Sequence, residues 1–174
     1  MSAQPALAGR TAIIITVSDR CSAGTQTDLS GPALANVLTT AGANLLAPLI
    51  FPDELNILIP ALRSAATRAA LILTTGGTGL APRDITPEAT LAVCDRLVPG
   101  LAELIRQTGS LQTPFAALGR GVCGALGQSL LINLPGNPSG AETSLRAILH
   151  LLPHALDLLA GHTEHSASHP TTLE

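Results

Sequence analysis

The sequence predicts a single α/β domain: a mostly parallel sheet flanked by helices on both faces, three layers in all. Three observations carry this expectation. Apolar runs rich in β-branched residues alternate along the chain with segments of helical period, the pattern of parallel strands joined by helical crossovers. At 174 residues the chain has the length of one domain and can bury a continuous core. No segment repeats at a fixed spacing, so solenoids and propellers drop out.

The elements follow in order. "TAIIITVS" (11–18) reads as a buried strand and "GPALANVLTTAG" (31–42) as a helix that Gly42 stops. "NLLAPLIF" (44–51) is expected to form a second, weaker strand. "DELNILIPALRSAATR" (53–68) has helical spacing, with a kink or break at Pro60. "AALILTT" (69–75) is a third strand. "TPEATLAVCDRL" (86–97) reads as a helix with Thr86 as its N-cap and Pro87 at its first position. A further helix is expected over about 100–107. "GVCGALGQSLLINLPG" (121–136) resembles two short strands turning near Gly127. "PSGAETSLRAILHLLPHALDLLAG" (138–161) supplies one or two helices, broken near Pro153. The remaining "HTEHSASHPTTLE" shows no periodic apolar face, so the domain is expected to span 1–161 and 162–174 to be a disordered tail.

Composition narrows the chemistry. Charged residues make up 12% against a typical ~25%, and mean hydropathy is +0.40, so the chain has more apolar surface than a monomer of this size readily hides; a homo-oligomer is expected. A net charge of -3 offers no basic excess for nucleic acid. The N-terminus lacks a cationic segment ahead of an apolar one, and no apolar run approaches the ~18 residues of a membrane span, so a cytoplasmic location without membrane contact is expected. Cys21, Cys94 and Cys123 lack CxxC spacing and suit reduced thiols. All nine cationic residues are arginine, which excludes a Walker A lysine, a Schiff base and a pyridoxal site. All five histidines lie at or beyond His150. Chemistry near residue 80 must therefore use carboxylates, arginines, hydroxyls and backbone amides.

The stretch "TTGGTGLAPRDITPEAT" (74–90) leaves a strand and enters a helix, the place where open α/β sheets bind ligands. Gly76, Gly77 and Gly79 permit positive φ and close backbone approach, as in a phosphate cradle; a plain glycine turn is the other reading. Asp84 beside such a loop would repel phosphate unless a cation lies between, most simply Mg²⁺. Alternatively it pairs with Arg83 or holds a turn amide. "GRGVCG" (119–124) matches the dinucleotide pattern G-x-G-x-x-G, but it precedes an apparent strand instead of opening a helix. "INLPGNPSGAET" (132–143) is another strand exit, with Asn137 and Pro138 at cap and first-turn positions. "VSDRCSAGTQTDLSGPAL" (17–34) supplies Asp19, Ser22, Gly24, Thr25, Asp28 and Ser30 from a third exit, and Asp53 in "FPDE" stands at a strand-to-helix junction, where an N-cap role would suffice. Three exit loops converging on one edge make a cleft.

Taken together, "VSDRCSAG", "D-SGPAL", "FPDE", "TTGGTGLAPRDITPEAT", the Pro99, Gly100 and Arg106 segment, and "NLPGNPSG" resemble the molybdenum cofactor biosynthesis family. The likeness is nearest to its molybdopterin adenylyltransferase branch, which includes the N-terminal domain of gephyrin and its plant counterpart. It covers roughly residues 10–161. The resemblance implies a homotrimeric α/β fold and a reaction in which molybdopterin phosphate attacks the α-phosphorus of ATP carried with Mg²⁺, releasing pyrophosphate. It places catalytic aspartates at Asp84, which would also hold Mg²⁺, and at Asp53, whose N-cap reading stays open beside it. Gly76, Gly77, Thr78 and Gly79 would hold phosphate. Asp19, Ser22 and Asp28 would line the same cleft, while Pro135, Gly136 and Asn137 would shape the pterin or nucleotide side. A contact with the protein that inserts molybdate is also implied. Two other classes stand beside this reading: a non-catalytic pterin-binding or scaffold protein, and a Rossmann-type oxidoreductase whose fingerprint is out of context.

Overall fold

The structure, a computed structural model, describes residues 5–162, so the expected tail lies, apart from His162, outside the described residues. Strand β1 (Thr11–Val17) leads through one turn of helix, α1 (Asp19–Ser22), to α2 (Ser30–Thr40). Gly42 then takes φ 84°, the left-handed conformation that closes a helix end. The 44–51 run does not form one strand. It divides into β2 (Asn44–Leu45) and β3 (Leu49–Phe51), which pair with opposite ends of β1. Pro48 lies between them and has no N–H to give the ladder. Helix α3 (Leu55–Ala66) runs through Pro60 without the break that was one of the two expectations there. Pro60 and Asn56 are both exposed, so water can satisfy the Asn56 carbonyl that the proline deprives of a partner.

Strand β4 (Leu71–Thr75) is followed by α4 (Thr86–Leu91), half the helix expected. Thr86 is its first helical residue and not its cap: the hydroxyl donates to the Gly76 carbonyl at 2.9 Å. The last two residues of that segment become β5 (Arg96–Leu97), flanked by N–H bonds from Asp95 to Ala125 O and from Val98 to Cys123 O, both 2.8 Å. Pairing with a neighbouring strand edge here overrides local helical spacing. Helix α5 (Pro99–Ser110) contains the expected 100–107 segment. Strands β6 (Cys123–Leu126) and β7 (Ser129–Leu134) form the expected hairpin, turning at Gly127 with φ 58°. Helices α6 (Pro138–Ile148) and α7 (Leu152–Leu159) are separated by a 3₁₀ turn at Leu149–Leu151, just ahead of Pro153.

The seven-stranded sheet runs β2-β1-β4-β7-β6-β5, with β3 beside the far end of β1. Pairings among β1, β2, β3, β4 and β7 are parallel; β6 runs against them, pairing antiparallel with both β7 and β5. Ala12 and Ile14 of β1 face a core formed with α2, α5, α6 and α7, while Ile13, Ile15 and Val17 face a second core formed with α3 and α4. A strand buried on both faces reads as a continuous apolar run, which is why "AIIITV" is legible. The expected three-layer, mostly parallel fold is the one observed. Among the described residues, no helix is long and apolar enough to cross a membrane.

Candidate active site at the strand exits

Parallel pairing brings the C-terminal ends of β1, β3, β4 and β7 to one edge, where two cavities of about 600 and 610 Å³ open, the first walled on its far side by α5, the 113–118 turn and α6. Gly76, Gly77, Asp84, Gly136 and Asn137 line both and form the wall between them. Thr78, Gly79 and Pro135 belong to the first cavity only; Asp19, Asp28 and Asp53 to the second. Ser22 lines neither and is exposed on α1. The glycines are sterically required. Gly76 has φ 99°, and a Cβ there would sit 2.2 Å from Val17 O; Gly77 has φ 61°, and its Cβ would meet Thr86 Oγ1 at 2.5 Å and Asp53 Oδ1 at 2.7 Å.

The second cavity is acidic and cross-braced. Asp19 N–H donates to Asp53 Oδ2 at 2.9 Å, Asp53 N–H donates to Asp19 Oδ1 at 3.1 Å, and Arg83 grips Asp19 with Nε at 2.9 Å and Nη2 at 2.6 Å. The guanidinium and the Asp53 amide hold the Asp19 carboxyl below its ordinary value. Burial pushes Asp53 up, with the charges of Asp19 and Asp84 adding to the effect. Asp53 does not cap α3: Glu54 holds the cap position, and the Asp53 carboxylate serves Asp19. Asp28 is consumed locally. Its Oδ1 accepts from Ser30 N–H, Ser30 Oγ and Gly31 N–H, and its Oδ2 from Thr16 Oγ1 at 2.6 Å, so it fastens the start of α2 to β1.

Asp84 does not pair with Arg83. Its Oδ2 accepts from Ala81 N–H at 2.8 Å, the turn-amide role, while its Oδ1 and Asp53 Oδ1 accept none of the hydrogen bonds among the described residues. Asn137 caps α6, accepting from Gly140 N–H at 2.7 Å, so an eleven-residue helix points its N-terminus at the shared wall. Thr75 Oγ1 donates to Pro135 O at 2.7 Å and ties the β4 and β7 exits together.

Two arginines escape assignment from sequence. Arg106 lines the first cavity and donates to Gly121 O at 3.2 Å. Arg120 lines neither cavity but binds the outside of the glycine loop. It lies inside "GRGVCG", whose last two residues already belong to β6 instead of opening a helix, so no dinucleotide turn exists there. The signal available in the sequence is the absence of lysine, which makes every arginine near a phosphate-type loop a candidate.

Among the described residues, no three His, Cys, Asp or Glu side chains gather to hold a metal alone. The donors present fit Mg²⁺ in its usual nucleotide form, one or two carboxylates completed by substrate phosphates, because Asp84 offers an unengaged hard oxygen on the shared wall.

A mostly parallel sheet thus carries a glycine loop, a capped helix N-terminus and free carboxylate oxygens at its strand exits, the arrangement of a ligand-binding α/β protein. The chain belongs to the family described as probable molybdopterin binding domain, whose profile matches residues 13–154. It is 41% identical over 155 residues to the molybdopterin adenylyltransferase of Helicobacter pylori strain J99, covering 85% of this chain and 86% of that protein. It is 42% identical over 149 residues to the molybdenum cofactor synthesis protein cinnamon of Drosophila melanogaster, a match spanning 84% of this chain but only 25% of that longer protein. The molybdopterin biosynthesis enzyme MoaB of Thermus thermophilus superposes with a TM-score of 0.81 at 50% identity, covering 87% of this chain and 97% of that one.

Proposed function

We propose that this chain is a molybdopterin adenylyltransferase. The terminal phosphate of molybdopterin attacks the α-phosphorus of ATP, a new phosphoanhydride forms, and pyrophosphate leaves. The observation that carries this reading is the pair of near-equal cavities meeting at one wall of Gly76, Gly77, Asp84, Gly136 and Asn137, which lets two substrates approach a common point from either side. A phosphate monoester carries its own negative charge near neutral pH, so no histidine base is needed to activate it. The glycine-loop amides and the N-terminus of α6 hold phosphate oxygens in place. Mg²⁺, held by Asp84 together with the phosphates, would offset their charge during transfer. Asp53, its partner Asp19 and Arg83 keep the acidic side of the site rigid, and Asp53 is the second carboxylate facing the loop.

On the same reading the protein is a cytoplasmic homotrimer that passes its product to a molybdate-inserting protein. Exposed Leu97, Leu111 and Phe115 supply apolar surface for subunit contacts. Cys21, Cys94 and Cys123 are free thiols, and burial pushes Cys94 up to about 11 and Cys123 up to about 12, suiting a reducing compartment. A second reading, a pterin-binding protein without turnover, draws support from the engagement of Asp84 Oδ2 by the Ala81 amide. Incubation of the protein with molybdopterin, ATP and Mg²⁺ separates the two. Pyrophosphate released in step with adenylylated pterin is the expected result; bound pterin with no pyrophosphate favours the carrier.

A further inference from the structure

We infer that Arg120 is a positioning residue: it staples the Gly79–Asp84 excursion shut from outside the cavities and thereby sets where the Asp84 carboxylate stands. The functional half of this inference rests on the adenylyltransferase reading; the structural half does not.

The attachments come from one residue. The Arg120 backbone N–H donates to Thr78 O at 2.9 Å, Nε donates to Gly79 O at 2.6 Å, and Nη2 donates to Asp84 O at 2.7 Å. The guanidinium thus binds the first and last carbonyls of the excursion. Its remaining edge forms an ion pair with Glu88 on α4, through Nη1 to Oε1 and Nη2 to Oε2, so the staple is anchored to a helix. Between the two stapled ends Leu80 is 66% exposed, and the Arg83 side chain ties the middle of the loop to Asp19 on the second-cavity side. Within the loop, Asp84 N–H donates to Ala81 O at 2.9 Å and Asp84 Oδ2 accepts from Ala81 N–H, folding the carboxylate toward Gly79, where a Cβ would meet Oδ2 at 2.8 Å. The carboxylate position therefore follows the loop position, whose two ends Arg120 fixes while Arg83 holds its middle.

The residue type is specified by this geometry. Three acceptors in different directions, two carbonyls and a carboxylate, match the planar fork of a guanidinium; a lysine ammonium has the charge but cannot span all three. Because Arg120 lines neither cavity, its loss should not touch substrate binding directly.

The test uses Arg120→Lys and Arg120→Gln beside wild type, with three readouts. Amide hydrogen exchange followed by mass spectrometry should show residues 79–85 exchanging at least about tenfold faster in both variants, with the strands unchanged. Turnover should fall about tenfold or more at moderate Mg²⁺ while KM for molybdopterin stays within about twofold, and raising Mg²⁺ should recover part of the loss. In an Asp84→Asn background, Arg120→Lys should cost almost nothing further, because both substitutions act on one carboxylate. Exchange that stays unchanged, or that rises evenly over the whole chain, overturns the staple. Turnover losses that add in the double variant overturn its link to Asp84. Should wild type release no pyrophosphate at all, the enzymatic reading falls, and hydrogen exchange alone still decides the staple.

Discussion

Asp19 and Asp53 bind each other reciprocally: the backbone N–H of each donates to the carboxylate of the other, at 2.9 and 3.1 Å. Both residues stand just past paired strands, β1 and β3, so their side chains continue the ladder beyond the point where Ser18 N–H bonds Phe51 O at 2.9 Å. Arg83 then clamps Asp19 directly but reaches Asp53 only through its field. The result is an asymmetric pair, Asp19 held below its ordinary value and Asp53 raised above it.

That asymmetry predicts a pH signature for Asp53→Asn. A carboxyl raised in the folded state favours folding fully only below its unfolded value, near 3.8, and that contribution is lost as pH rises through the folded value. At pH 7 the ionised Asp53 therefore costs stability, while an asparagine oxygen can still accept from Asp19 N–H. Asp53→Asn is expected to raise the melting temperature at pH 7 by no more than about 4 °C, the shift that about 1 kcal/mol produces at this size. The gain should vanish as pH falls below about 3.8, and adenylylation should fall at least about tenfold. Thermal scans at several pH values against pyrophosphate release check it. A lower melting temperature at pH 7 would make Asp53 a structural brace only.

Two glycine substitutions should differ in sign. Gly76→Ala places a methyl 2.2 Å from Val17 O at φ 99°, where β4 and β1 pair, and is expected to cost at least about 3 kcal/mol. Gly100→Ala sits in the first turn of α5 with nothing within 4 Å, and should gain up to about 1 kcal/mol by restricting the unfolded chain. Denaturant midpoints at unchanged slope measure both.

What the sequence makes legible is whatever is encoded locally. Two-sided burial makes β1 and β4 read as apolar runs, and the positive φ at Gly76 and Gly77 requires the residue that stands there. Arg96–Leu97 is a strand only because β6 offers an edge, and nothing in those two exposed residues announces it. Asp19 finds Arg83 across 64 positions, and Arg120 finds Glu88 across 32, pairings that no local period encodes. Asp28 lines the second cavity as expected, but what its carboxylate does there is not legible: three hydrogen bonds from Ser30 and Gly31 and one from Thr16 on β1 engage it in the protein's own structure.

Absent lysine, the triphosphate has few free cations to meet. Arg83 is taken by Asp19, Arg120 by Glu88 and two loop carbonyls, Arg106 lines the first cavity only, and Arg20 alone lines the second without a side-chain ion pair among the described residues. Turnover in excess chelator is accordingly expected below about one hundredth of the Mg²⁺ rate, the scale of losing a metal's charge stabilisation. Pyrophosphate release with and without added Mg²⁺ measures it, and chelator-insensitive turnover would return the charge-neutralising role to arginine and backbone dipoles.

Asp84→Asn separates an enzyme from a carrier. The side chain is near-isosteric, and its amide oxygen can keep accepting from Ala81 N–H, so the loop should hold its shape and the melting temperature should move by no more than a degree or so, about 0.5 kcal/mol. What is lost is one negative oxygen on the wall that both cavities share. Affinity for the anionic pterin phosphate should therefore be retained or improved, while adenylylation falls by at least about 10²-fold, as when one preorganised electrostatic contact is removed. Pterin fluorescence follows binding and pyrophosphate release follows turnover, each on wild type and variant. Equal turnover in the two proteins would leave Asp84 a turn residue, its carboxylate serving Ala81 and nothing else.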